Sequence, residues 1–336
     1  MEFVITALQI LNLPPSSGAL MPYQIMTNAE LAPWIMEMVK AVDCEIHLWL
    51  EDGSTDPDLL EAADGFFVYG HPIIDGTVMD TMPNLRVISN QGVGIDHINL
   101  EDAEARGIPV GNTPGFVDGA TADMTFALLL AAARHIVRGD HFARGPEFTH
   151  YDANIWHGQE VYGATLGIIG MGGVGQQVAR RASGFDMKIL YHNRNEIAEI
   201  AAELGATYAS LADLLAQSDF VALNLPMRPD TRNTIGRAEL VQMKPTAILI
   251  NAARGGVLDH DALVDALRDG TIWAAGLDVT EPEPLPRDHP LLSLKNLVIA
   301  PHLGSATRKT RIGMVQRTIE NLIAGLTGQE MPSRVA

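Results

Sequence analysis

Gly170-Met171-Gly172-Gly173-Val174-Gly175 stands near the middle of the chain. An apolar run, 165–169, precedes it and an amphipathic stretch, 176–183, follows it. Glycines at this spacing occur in many turns, so the run alone says little. A strand before it and a helix after it are the setting of a dinucleotide-binding turn. There the first glycine permits the tight turn, the second admits a pyrophosphate, and the third lets helix and strand pack closely. The helix N-terminus then offers unpaired N–H groups and a positive dipole end to the phosphates.

Downstream of this turn, apolar runs at 188–191, 220–223, 247–250, 274–279 and 297–299 read as strands. Helical patterns at 211–217 and 260–269 lie between them. Upstream the same unit type occurs again, with strands at 3–8, 45–50, 65–69, 85–89 and 108–110. Helical stretches at 30–42, 77–82 and 100–106 separate them. Strands alternating with helices imply parallel sheets covered on both faces. With 336 residues and roughly 100–200 per domain, the fold class is α/β, with two doubly wound parallel-sheet domains. A helix at 120–138, apolar nearly all round at Phe126-Ala-Leu-Leu-Leu-Ala-Ala-Ala133, joins the halves. Packing between domains or a subunit interface would each bury it. A final helix at 305–326 carries Ile312, Val315, Ile319, Leu322, Ile323 and Leu326 on one stripe, long enough to return to the first domain. One domain inserted into the other is the expected architecture.

Composition narrows the function. Lys plus Arg number 23 against 41 Asp plus Glu, a net charge of −18. Such a chain is repelled by nucleic acid and by anionic membrane, so neither is an expected partner. Cys44 is the one cysteine, too few for an internal disulfide, which points to a reducing cytoplasm. The N-terminus has no basic n-region and no small-residue cleavage site, and reads as a strand. No apolar stretch approaches the ~20 residues that span a bilayer. The eleven histidines show no metal-ligand spacing, and no metal is expected.

The end of the strand after the glycine turn selects the dinucleotide. An NAD site usually places Asp or Glu there, on the ribose 2′-hydroxyl. Here the residues are Tyr191-His192-Asn193-Arg194-Asn195, with no acid. Neutral Asn193 removes the repulsion of a 2′-phosphate and Arg194 offers it a fork of donors. NADP(H) is therefore favoured over NAD(H).

Three more residues follow strands in the same half: Arg254, Glu283 and His302. The carboxyl ends of parallel strands share one edge, where ligands bind. A fixed cation, an acid and a histidine on that edge form a general acid/base set.

With these motifs in view, the chain resembles the D-2-hydroxyacid dehydrogenase family over nearly its whole length. The resemblance rests on Asn90-Gln-Gly-Val-Gly-Ile-Asp96, Thr113-Pro-Gly115, Gly170–Gly175, Ile250-Asn-Ala-Ala-Arg254-Gly255, Gly276-Leu-Asp278-Val-Thr-Glu-Pro-Glu283 and Pro301-His302-Leu-Gly304. The Tyr-His-Asn-Arg segment and Ala120-Thr121-Ala-Asp123 look most like the glyoxylate/hydroxypyruvate reductase branch. The resemblance implies a Rossmann dinucleotide-binding domain, 113–304, inserted into a flavodoxin-like substrate domain, 1–112 and 305–336. It implies Arg254 as the substrate-binding arginine, Glu283 as the partner of the histidine, and His302 as proton donor. The Val93–Gly94 backbone would hold the substrate carboxylate. Cofactor contacts would come from Thr121, Met171, Gly172, Gly173, Val174, Asn193, Arg194, Pro226, Ala252, Ala253, Asp278 and Gly304. The activity implied is NAD(P)H-dependent reduction of small 2-oxo acids, glyoxylate and hydroxypyruvate, to D-2-hydroxy acids, by a homodimer.

Two other readings stand beside it. One keeps the reaction and lengthens the substrate, to a 2-oxo acid such as 2-ketogluconate. The other is a nucleotide-sensing, corepressor-like binding protein, against which the intact Arg254, Glu283 and His302 argue. Substrate length would be set near 70–72, Gln91 and Trp156, with His71 a candidate for the site.

Overall fold

The computed structural model describes residues 22–336, so the strand expected at 3–8 lies outside the described residues. The chain divides into two compact units. One ends at Phe116 and resumes with Thr307–Ala336, and the other is Val117–Ala306. The sequence reading sets the crossings at 112/113 and 304/305.

The first unit is built on β1 (Tyr23–Thr27), β2 (Cys44–Leu48), β3 (Gly65–Val68), β4 (Val87–Asn90) and β5 (Val110–Gly111). All pairings among them are parallel. The order β2-β1-β3-β4-β5 is the flavodoxin-like winding, which reverses direction between β1 and β3. β1 is absent from the sequence reading because Tyr-Gln-Ile-Met-Thr is short and broken by a polar residue. A central strand draws its stability from neighbours on both sides more than from its own apolar run, and β1 pairs with both β2 and β3. The expected 30–42 helix is the shorter Pro33–Lys40, opened by the proline at its first position.

Helix Arg308–Thr327 packs its Val315, Ile319, Leu322 and Leu326 with Ile25, Phe67 and Val87 in one core of this unit. Thr318 adds a polar fastening, its carbonyl accepting from Ser89 Oγ at 2.9 Å. Cys44 is buried in the same core, where burial, with Asp43 and Asp64 nearby, pushes its thiol up to about 12.

The second unit is built on β6 (Thr165–Ile169), β7 (Lys188–His192), β8 (Ala206–Tyr208), β9 (Phe220–Leu223), β10 (Ile248–Asn251), β11 (Ala274–Leu277) and β12 (Leu297–Ile299). Its sheet runs β12-β11-β10-β9-β6-β7-β8, the Rossmann order with one strand added beyond the sixth. The order reverses between β6 and β9, and ligands bind at the carboxyl ends of strands at such a switch point.

The apolar helix expected at 120–138 is two helices, Asp118–Ala133 and Ile136–Arg144. His135 between them has φ 53°, a left-handed conformation that histidine enters more readily than branched residues. Its ring packs against Trp273, centroids 5.0 Å apart. The first helix is buried within the second unit, its Phe126, Leu128 and Leu129 in the core with Ile168, Phe220 and Ile250. Trp156 lies beneath the Arg138 guanidinium and against Phe142, on the Ile136–Arg144 helix. Among the described residues no single helix is long and apolar enough to cross a membrane, and no group of His, Cys, Asp or Glu is placed to hold a metal.

Candidate active site

The glycine turn connects β6 to helix Gly173–Ser183. Gly170 has φ +97°, and a Cβ there would meet Asn224 O at 2.7 Å. Gly175 comes so close to the turn that its Cβ would stand 2.1 Å from Gly170 O. Only glycine fits either place. The helix begins with no side-chain cap, so its first N–H groups remain for an anionic ligand. Gly172 and Gly173 are exposed while Met171 is buried. Asn224 Oδ1, just past β9, is buried with no hydrogen-bond partner among the described residues. The uncapped helix end and open glycine turn fit a dinucleotide pyrophosphate.

At the end of β7, Asn193 Oδ1 accepts the Met171 N–H at 2.7 Å, tying that strand end to the turn. Arg194 beside it is exposed. Pro226, after β9, is fastened through its carbonyl to Thr231 Oγ1 at 2.7 Å.

β10 leads into Arg254 through a buried hinge. Asn251 Oδ1 accepts from Ala253 N and its Nδ2 donates to Arg254 O at 2.9 Å. Ala252 and Ala253 lie inside this loop. The next residue, Gly255, packs on the Thr280 backbone so tightly that a Cβ would fall 2.2 Å from it. Glu281 lies against Gly256 and binds Arg232 at 2.9 Å. The Arg254 loop is thus held against the segment that carries Glu283.

Asp278, after β11, is 2% exposed. Its two carboxylate oxygens accept the N–H groups of Leu303 and Gly304, each at 2.7 Å. Its carbonyl accepts the His302 N–H at 2.8 Å. Thr121 meets the same corner, since a Cβ on Gly304 would touch both Asp278 and Thr121. Asp278 therefore anchors the His302 turn, a duty the resemblance does not imply. A carboxylate has about four acceptor positions, so lone pairs remain for a cofactor amide.

His302 sits at φ 55°, a conformation this anchoring imposes. Its Nδ1 lies 2.7 Å from Glu283 Oε1, and Thr280 N donates to the other oxygen of Glu283 at 3.3 Å. The pair is partly exposed, as a site that admits substrate must be. A cavity of about 420 Å³ lined by His135, Arg138, Trp273 and Lys295 lies at the amino ends of β11 and β12, the opposite edge of the sheet.

In the first unit the loop after β4 is shaped by two asparagines. Asn90 Nδ2 donates to Gly92 O and Gly94 O, and Asn112 Nδ2 to Val93 O. Thr113 N also donates to Gly92 O. With these carbonyls engaged, the Val93 and Gly94 N–H groups meet no acceptor among the described residues. Gln91 is 4% exposed, and both its amide atoms lack partners among the described residues; the His71 ring packs edge-on against His97.

The positioning residues Asn90, Asn251, Asp278 and Glu281 carry no sequence signal of their own role. All four lie in the matched motifs, yet what each holds depends on its place in the fold.

Residues 126–304 match the family model described as D-isomer specific 2-hydroxyacid dehydrogenase, NAD binding domain. A glyoxylate reductase of Aeropyrum pernix is 47% identical over 320 residues, 93% of this chain and 95% of that one. The crystal structure of a protein from Thermus thermophilus superposes with a TM-score of 0.86 at 41% identity, covering 93% of this chain and 99% of the other. An NADPH-dependent glyoxylate/hydroxypyruvate reductase from Sinorhizobium meliloti, in complex with NADP and malonate, has a TM-score of 0.84 at 31% identity, covering 94% and 97%.

Proposed function

The chain belongs to the D-isomer specific 2-hydroxyacid dehydrogenase family, and from that premise we propose that it reduces glyoxylate and hydroxypyruvate to the D-2-hydroxy acids. The observation that carries the reading is the 2.7 Å contact between His302 Nδ1 and Glu283. It stands on the strand-end edge that also bears Arg254 and the glycine turn.

Arg254 holds the substrate carboxylate and polarises the carbonyl through the planar fork of its guanidinium. A bound nicotinamide supplies the hydride for the carbonyl carbon. His302, oriented through Nδ1 by Glu283, carries on Nε2 the proton for the developing alkoxide.

The cofactor we infer is NADPH in preference to NADH. Two features support this. Asn193 supplies no charge where a 2′-phosphate would sit, and exposed Arg194 makes no ion pair among the described residues. The assembly we infer is a homodimer. Exposed Ile136, Val137, Phe148, Tyr151 and Tyr162 supply apolar surface in one stretch of chain. The lone Cys44 favours the cytoplasm.

Initial rates with glyoxylate, hydroxypyruvate and 2-ketogluconate, each against NADPH and NADH, test the reading. The two small acids with NADPH should turn over fastest. Faster turnover of 2-ketogluconate would move the substrate to the longer acids. NADPH binding without turnover of any 2-oxo acid would make the protein a nucleotide sensor.

A further inference from the structure

Asp118 opens helix Asp118–Ala133, which packs on helix Gly173–Ser183 of the glycine turn. Its carboxylate occupies the space a side chain at Gly173 would fill. A Cβ there would stand 2.5 Å from Asp118 Oδ2 and 3.0 Å from Oδ1. Gly173 is the first residue of its helix, so the carboxylate sits beside N–H groups that face an anionic ligand.

Among the described residues no cation answers this carboxylate. Arg181, the nearest guanidinium on the facing helix, binds Asp123 at 2.7 Å and Gly119 O at 3.0 Å. Arg180 on the same helix reaches Glu203. Asp278, beyond Thr121 and Gly304, adds a second negative charge. Asp118 is half-buried, and burial raises its carboxyl above the ordinary range.

We propose that Asp118 is a proton-linked brake on dinucleotide binding, its ionised carboxylate repelling the cofactor pyrophosphate at the N-terminus of helix Gly173–Ser183. Binding then raises the affinity of the Asp118 carboxylate for a proton, so a fraction of a proton is drawn from solvent onto it and cofactor affinity falls as pH rises. The inference rests on the dinucleotide-binding reading of the glycine turn and concerns affinity, separate from turnover.

Calorimetric titration of the full chain with NADP⁺, from pH 5 to pH 8, compares wild type with Asp118→Asn. Titration of the 2′-phosphate is common to both proteins and cancels in the ratio of their Kd values. That ratio, wild type over variant, should be lowest at pH 5 and climb toward about tenfold at pH 8, a charge repulsion between the bulk-water and protein-surface scales. Across the rise, buffers of different ionisation enthalpy should report more proton uptake by wild type than by the variant. Asp118→Ser, smaller and uncharged, should match Asp118→Asn. A ratio that stays flat with pH, or drops below one, overturns the brake while leaving the dinucleotide site intact. If wild type binds neither NADP⁺ nor NADH at any pH, the reading of the glycine turn itself fails.

Discussion

Arg194 is exposed and lies outside every core cluster, so its replacement reads cofactor choice without disturbing the fold. Arg194→Ala should raise the KM for NADPH roughly tenfold to a thousandfold, since a charge-assisted phosphate contact contributes about 1.5–3 kcal/mol or more. The KM for NADH should hardly change, and equal weakening of both cofactors would refute the 2′-phosphate role. At the acid/base pair, His302→Gln keeps a donor but supplies no proton. Its kcat for reduction should fall about 10²–10⁴-fold, with KM less affected. Glu283→Gln keeps an acceptor for His302 Nδ1 and removes the negative charge beside it. Its kcat for reduction should fall with KM less affected, and a wild-type kcat would exclude the pairing. Arg254→Lys should damage KM and kcat together, because an ammonium lacks the planar fork that grips carboxylate and carbonyl at once.

The elements that present these residues are strand ends, and their loops are braced against each other. Asp278 extends β11 into the His302 turn with both carboxylate oxygens engaged on N–H groups. Asp278→Asn turns one acceptor into an NH₂ facing an N–H. Hydrogen bonds to a charged group are worth about 1.5–3 kcal/mol, so the melting temperature should drop by several degrees and kcat with it. Wild-type kcat in the Asp278→Asn variant would show that His302 is positioned without this brace. The Arg232–Glu281 pair is about half exposed on both sides, where an ion pair contributes little to stability. Its structural weight lies in holding the Arg254 loop beside the segment of Glu283, as the approach of Glu281 to Gly256 shows.

For the molecule as a whole, pH acts through groups whose affinity for protons changes on folding. His260 is buried, and its Nε2 has no partner among the described residues. Desolvation, with His289 nearby, holds it below the ordinary histidine value of 6.5. The unfolded chain therefore binds a proton more readily than the folded one. The stability this group contributes is complete above pH 6.5 and is lost as pH falls through the lowered folded value. Melting temperatures at pH 7.5 and 5.5 should show a smaller acid loss for His260→Gln than for wild type. Equal losses would assign the acid sensitivity to other groups.

Much of this protein is written in local pattern. Gly170–Gly175 between strand and helix, the apolar runs of β6, β9 and β12, and polar residues after β10, β11 and β12 place a Rossmann unit and its reactive edge. They do so because strand alternation, turn chemistry and helix capping depend on neighbours in the chain. What depends on distant neighbours was decided by tertiary structure. β1 is a strand because β2 and β3 flank it, although its own residues hardly announce one. The apolar helix breaks at His135, whose ring lies against Trp273, a contact that periodicity along 120–138 does not record. Asp278 becomes the anchor of the His302 turn, and Asp118 comes to rest on Gly173. Each of these pairings joins segments that only packing brings together, and a buried carboxylate takes its meaning from whichever groups packing sets beside it.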